Sequence, residues 1–269
     1  MKKTHCIAAI LGAVFPLVGG LQAGDYTYQS SKEVVVEPAE EDPWELYFTG
    51  YGVLPWVDLN LAGGTAINLD PGNVWDALNM TAQFEAEVRK GKWGLSADVI
   101  YVDLGFSPDI DVISDIRVKE WIIMPRINYR AWEGDWGFLD LQAGLRSTSV
   151  DITVTGHRPT IAAGTVLPFG PGLKGDSFSK SGSAQIWHAS FGVRGRVNLS
   201  DRWFVNYYGE LGGGDSDLIA QAFGAIGYQI NSNADLFFGF RYVYWDFASG
   251  VPLEDETAYG PEMGLKIRF

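Results

Sequence analysis

The stretch "IWHASFG" sets His188 and Ser190 two residues apart, which puts both side chains on one face of an extended strand. A serine beside a histidine, with an acid to orient the ring, is how many hydrolases activate a nucleophile. The other histidine outside the N-terminal leader is His157, in the joint 154 to 183, where aspartates of neighbouring joints would have to complete an acid-and-histidine hydrolytic cluster. The spacing does not support such a cluster. A His or Ser in polar surroundings ordinarily just hydrogen-bonds its neighbours. We therefore assign no catalytic, cofactor or metal residue from the sequence and expect no enzyme.

The chemistry that recurs along the chain is charge placed in alternation with apolar residues. In "LNMTAQFEAEVRK", Met80, Ala82, Phe84, Ala86 and Val88 alternate with Thr81, Gln83, Glu85, Glu87 and Arg89. In "FLDLQAGLR", Leu139, Leu141, Ala143 and Leu145 alternate with Asp140, Gln142, Gly144 and Arg146. The chain ends the same way, with Tyr259, Met263, Leu265, Ile267 and Phe269 set against Glu262, Lys266 and Arg268. A period of two is that of a β-strand with unlike faces. A soluble sandwich would also alternate, with its apolar face turned inward. Full charges in mid-strand and aromatics near strand ends (Trp44, Tyr47, Trp56, Trp93, Tyr101, Trp136, Trp203, Tyr228, Trp245) favour a barrel whose apolar face meets lipid.

Strands are expected near 44 to 57, 78 to 90, 92 to 106, 116 to 131, 136 to 153, 184 to 199, 202 to 213, 218 to 230, 234 to 248 and 257 to 269. The joints alternate between short turns ("RKGK", "WEGDWG", "NLSDR", "NSNA") and mostly longer connections, as in outer-membrane barrels. The fold class expected is therefore all-β: a closed antiparallel transmembrane barrel of ten strands, eight being the alternative. In the first long joint, "LDPGNVWDAL" carries the signal of a short helix capped by Asp70 or Asn73.

The termini supply the context. Residues 1 to 23, "MKKTHCIAAILGAVFPLVGGLQA", have the layout of a secretory signal peptide, a basic start, an apolar run and a small-residue end. Its loss would remove the one cysteine, Cys6, and two lysines, taking the formal charge from −13 to −15. No disulfide or thiolate metal site is then available, and so acidic a chain does not suit nucleic acid. Residues 24 to 43 hold six acids against Lys32 and no apolar period, which suggests a disordered acidic periplasmic tail. The barrel domain is expected over 44 to 269.

"FEAEVRKGKWGLSADVIYVDL", "LDLQAGLR", "GVRGRVNLSDRWFVNYYGELGGGDSD" and the terminal "GPEMGLKIRF" resemble, in that order, a large family of Gram-negative outer-membrane β-barrel proteins, loosely of the outer membrane protein A and opacity protein class. The resemblance covers most of 44 to 269 and rests on strand and turn motifs, so it implies architecture and outer-membrane location but no substrate. The His188 and Ser190 pair also resembles the His-x-Ser strand of lipid A deacylases, without the rest of that pattern. The final strand ending in Phe269 resembles the signal read by the barrel assembly machinery, which becomes an expected partner alongside outer-membrane lipids and lipopolysaccharide.

By alternation Glu85, Glu87, Asp98, Glu120, Asp140, Glu210 and Glu262 point inward with Arg89, Arg126, Arg130, Arg146, Arg194, Arg196, Arg241, Lys266 and Arg268. Charges so nearly balanced favour a cross-linked, side-chain-filled lumen over a wide pore. The acidic surplus, including Asp215, Asp217 and Glu254 to Glu256, is assigned to solvated joints, with shared divalent cations as the sharper reading. The functional expectation is a monomeric barrel with a structural or surface-exposed role and at most a narrow, porin-like passage for small solutes. The alternative is a barrel enzyme, a lipid hydrolase or rim protease.

Overall fold

The computed structural model describes residues 42–61, 64–107, 113–157, 177–247 and 253–269. The leader and almost all of the acidic tail, expected over 1 to 43, lie outside them. The strands are β1 (Trp44–Val53), β2 (Trp56–Leu61), β3 (Thr65–Leu69), β4 (Leu78–Lys90), β5 (Trp93–Phe106), β6 (Ile113–Gly134), β7 (Gly137–His157), β8 (Ser177–Asn198), β9 (Trp203–Gly214), β10 (Leu218–Asn231), β11 (Ala234–Asp246) and β12 (Leu253–Arg268), with one helix, α1 (Pro71–Ala77), before β4. Antiparallel pairing runs from β4 in sequence order to β12, and β1 closes the ring between β12 and β4. β2 continues β1 against β12 in the same register after the Leu54-Pro55 interruption, so the two count as one wall strand. The barrel is ten-stranded, as the alternation predicts.

The register fixes its dimensions. Stepping from Leu46 to its paired residue on each successive strand (Val88, Leu95, Ile127, Ala143, Phe191, Leu211, Ala220, Tyr244, Thr257) returns to the first wall strand at Asp58, 12 residues farther on. With roughly 3.3 Å per residue and 4.8 Å between strands, that stagger corresponds to a tilt of about 40° and a backbone diameter of roughly 20 Å. Such a cylinder is narrow enough for long side chains from opposite walls to meet.

The outer surface shows why these residues alternate. Leu46, Phe48, Leu95, Ile127, Leu141, Leu145, Phe191, Phe238, Met263 and Leu265 are all exposed, an apolar belt that only lipid or detergent can cover. Aromatic pairs edge it: Trp93 with Tyr129 and Trp203 with Tyr228 near the short turns, Tyr101 with Trp121 and Trp56 with Tyr259 near the long joints. Two aromatics expected in these rings face inward instead. Trp245 is 8% exposed, and the Lys266 ammonium lies over the Tyr47 ring. Gly91 in the first short turn has φ of 56°, the left-handed conformation that glycine adopts without strain.

Several elements run longer than the alternation suggests. β6, β7 and β8 extend beyond the outer ring, so His157 is the last residue of β7, paired with Ser177, and not part of a loop. β12 begins at Leu253, which moves Glu254, Asp255 and Glu256 from a joint into the wall. The first long joint holds a hairpin, β2 with β3, that the sequence reading treats as loop. The helix expected there does form: Asp70 accepts from the Asn73 N–H, and the Asn73 side chain accepts from the Asp70 N–H, a reciprocal cap.

Candidate functional site

The lumen is where the charged face is concentrated, and it is organised in tiers. At the lower tier Asp140 on β7 is fully buried. Its register neighbours on the flanking strands are Arg130 and Arg194. Both guanidiniums reach its carboxylate, at 2.5 and 3.3 Å, and Arg89 arrives from β4 at 2.5 Å. Arg194 is shared further with Glu85 at 3.2 Å and Glu87 at 2.5 Å. Each charge is taken out of bulk water and is compensated by several opposite partners, the condition under which burial is tolerated.

The middle tier is centred on Glu210. Arg126 donates to it at 3.0 Å and Arg146 lies at 3.4 Å, while the Tyr208 hydroxyl donates at 2.5 Å. Arg146 also donates to the Gln221 side-chain oxygen. Tyr51 donates to Asp98 at 2.6 Å, and Arg241 pairs with Glu262. The inward acids and bases named from the sequence are largely brought together here, although alternation alone does not reveal the pairing. Arg126 and Glu210 are 84 residues apart in the chain.

Above this tier apolar side chains interrupt the polar lining, beside buried Thr148 and His188. Ile122, Met124, Ile219 and Trp245 form a buried apolar cluster, with Ile100 and Phe247 packed against it. Sequence reasoning missed this layer. A signal is present in "WIIMP", where Trp121, Ile122, Ile123 and Met124 are apolar without alternation, the pattern of a strand buried on both faces. Below lie pockets of about 140 and 150 Å³, the second opening among the residues of the inner rim. Phe138, Arg194 and Lys266 line both and so stand between them.

The hydrolase pair does not assemble. His188 and Ser190 both face inward and are buried, but the His188 Nε2 meets the Ser216 hydroxyl and its Nδ1 has no hydrogen-bond partner. The nearby Asp215 carboxylate accepts from the Trp187 backbone N–H. The oriented acid–His–Ser geometry of a nucleophile is therefore missing among the described residues. Outside the belt, Arg117 grips Asp103 with two hydrogen bonds of 2.9 and 2.6 Å and holds its carboxyl down at about 2. Among the described residues no three His, Cys, Asp or Glu side chains converge as metal ligands.

No protein-family model and no curated protein matches the chain. Among solved structures it is similar to the attachment invasion locus protein Ail of Yersinia pestis, at 12% identity and a TM-score of 0.36, covering 85% of this chain and 99% of that one. It is likewise similar to the outer membrane protease OmpT of Escherichia coli (10%, TM-score 0.48, 89% and 100%) and to Neisserial surface protein A (10%, TM-score 0.35, 84% and 97%). At values this low the assignment rests on the barrel's own register and belt. The fold is that of an integral outer-membrane β-barrel.

Proposed function

We propose that the chain resides in the bacterial outer membrane as a monomeric barrel with a closed lumen, and that it acts structurally and through its outer surface. The observation that carries this reading is the lumen itself: ion pairs interlocked across its middle, with small pockets between them, under an apolar layer. Such an interior suits neither a general pore nor a site that must admit a polymeric substrate. The extensions of β6, β7 and β8 beyond the outer aromatic ring provide the surface on which an external role would be exercised. The test is conductance of the refolded barrel in planar bilayers, where a closed lumen gives no steady current steps and a porin-like passage gives regular ones.

The same reading makes the protein a non-enzyme. Replacing His188, Ser190 or Ser216 by Ala is expected to leave the lipid A and phospholipid acyl profiles of the cells unchanged in mass spectra. A change common to the His188 and Ser216 variants would favour the hydrolase alternative.

Export by the leader and insertion by the barrel assembly machinery complete the proposal. Phe269 is 71% exposed to the belt, and its N–H donates to the Leu46 carbonyl at 2.9 Å, so the chain end lies beside the first strand at the seam. Deleting Phe269 removes little burial. Insertion in cells is expected to fall sharply while refolding into detergent stays near normal. A parallel fall in both would make the residue a stability element, and a fall in neither would remove its role in recognition.

A further inference from the structure

The wall has one gap among the described residues, and it lies at the level of the outer leaflet. β1 pairs with β4 from Trp44↔Lys90 up to Gly50↔Phe84, and the pairing then stops. Above that point the first wall strand stays on β12, through Val53↔Glu262 and on to Trp56↔Tyr259. Its other side is next covered by β3, beginning at Val57↔Leu69. β4 keeps pairing with β5 through Ala82↔Tyr101 and has no ladder partner on its free side above Phe84 among the described residues. The gap is thus framed by Gly52 to Pro55 on one side and Thr81 to Gln83 on the other. The stacked rings of Phe48 and Phe84 form its floor, and Trp56 and Tyr101 of the outer aromatic ring stand at its upper corners.

Two features indicate that the gap is open and polar inside. Leu54 donates its N–H to Pro261, so backbone groups of that parity face β12, and those of Val53 face the gap toward Thr81. The next residue of Val53's parity, Pro55, has no N–H to strand there. Thr81 faces inward by alternation yet is exposed, whereas Met124, Arg146 and Ser190, inward in the outer half of the wall, are buried. On the outer face a Cβ added to Gly52 would meet nothing within 4 Å.

Backbone polar groups turned toward hydrocarbon without partners cost several kcal/mol each, so a gap at this depth calls for an occupant that can hydrogen-bond. On the lumen side, Tyr51 and Glu85 line the 140 Å³ cavity with Thr49, Asp98, Arg126 and Arg241. On the other side are acyl chains. An occupant matching both sides has a polar end and a single apolar tail.

We propose that the gap between β1–β2 and β4 is a lateral port for a single-tailed amphiphile from the outer leaflet, whose polar end enters the lumen toward Tyr51 and Asp98 while its tail remains in the bilayer. The port leads sideways and leaves the apolar layer and the lower ion pairs in place, so it is compatible with a barrel that conducts nothing between its two rims.

The test uses the full mature barrel in lipid vesicles and a lysophospholipid carrying a photoreactive diazirine in its headgroup. Labelling mapped by mass spectrometry is expected on Tyr51 to Val53, Thr81 to Gln83 and Asp98, and to be lost at these positions in Gly52→Trp, which fills the outer mouth. In case that variant folds poorly, Val53→Cys with Thr81→Cys allows the gap to be bridged after folding by a bifunctional thiol reagent in a mature chain without other cysteines. Loss of labelling on bridging is again expected. Labels spread evenly over the outward faces, or unchanged by Gly52→Trp and by bridging, would overturn the proposal. So would reaction of the single Thr81→Cys variant with a water-soluble thiol reagent in the absence of any lysophospholipid label, since the port would then hold only water. Conductance between the rims is read separately, so failure of the port and failure of the closed lumen are distinguishable.

Discussion

Asp140→Ala is expected to destabilise the folded barrel by about 3–5 kcal/mol, because it leaves the guanidiniums of Arg89, Arg130 and Arg194 facing one another around an empty centre. Asp140 is completely buried, so water cannot take the place of the lost carboxylate without opening the tier. Asp140→Asn keeps the shape and one acceptor oxygen and should fall between the two, which separates loss of charge from loss of packing. Urea unfolding in lipid vesicles, followed by heat-modified gel mobility, measures all three proteins. Loss of less than about 1 kcal/mol in the alanine variant would mean that the tier is solvated, as exposed pairs are.

Arg194→Ala supplies a second large effect and an internal control. Arg194 holds Glu85 and Glu87 as well as Asp140, and removing it leaves Glu85 with Arg126 at 3.9 Å and Glu87 with Arg89 at 3.1 Å, a loss expected to cost about 3 kcal/mol. Arg196, on the same strand and face, pairs with Asp235 at 2.8 Å nearer the inner rim, where both side chains are partly exposed. Arg196→Ala should cost roughly 1 kcal/mol or less. Two arginines two residues apart are then expected to differ several-fold in effect because of depth and the number of carboxylates each one holds. Equal small losses would indicate water throughout the lumen, and equal large losses would indicate that the inner rim is as enclosed as the middle.

Much of this architecture can be read from alternation. The bounds of β4 coincide with the expected 78 to 90, because there a greasy face meets lipid and a charged face meets the lumen over the whole length. The outer parts of β7 and β8 escape such a reading because Ser and Thr crowd both faces beyond the belt, as in "SFSKSGSAQ", and contrast between faces vanishes where both are wet. The hairpin of β2 and β3 does carry a signal: Val57, Leu59 and Leu61 alternate with Asp58 and Asn60 before Gly63-Gly64.

In the lumen, which residues point inward is a local property and is legible. Which carboxylate meets which guanidinium depends on stagger and diameter, which no single strand encodes. The same limit explains the assignment of Glu256 to a joint, although in the wall it is paired with Trp245, and the choice of Ser190 over Ser216 as the neighbour of His188. The wall gap is of this kind too, since it follows from where one ladder stops.

In the proposed reading two successive barriers close the lumen, the Arg194 tier and the apolar layer containing Trp245. Single-channel recording of the wild-type barrel beside the combined Arg194→Ala and Trp245→Ala variant tests it most directly, with heat-modified mobility to confirm that both proteins are folded. The expected result is a silent wild type and a variant with steady, reproducible current steps. Steady steps from the wild type, unchanged in the variant, would contradict the account.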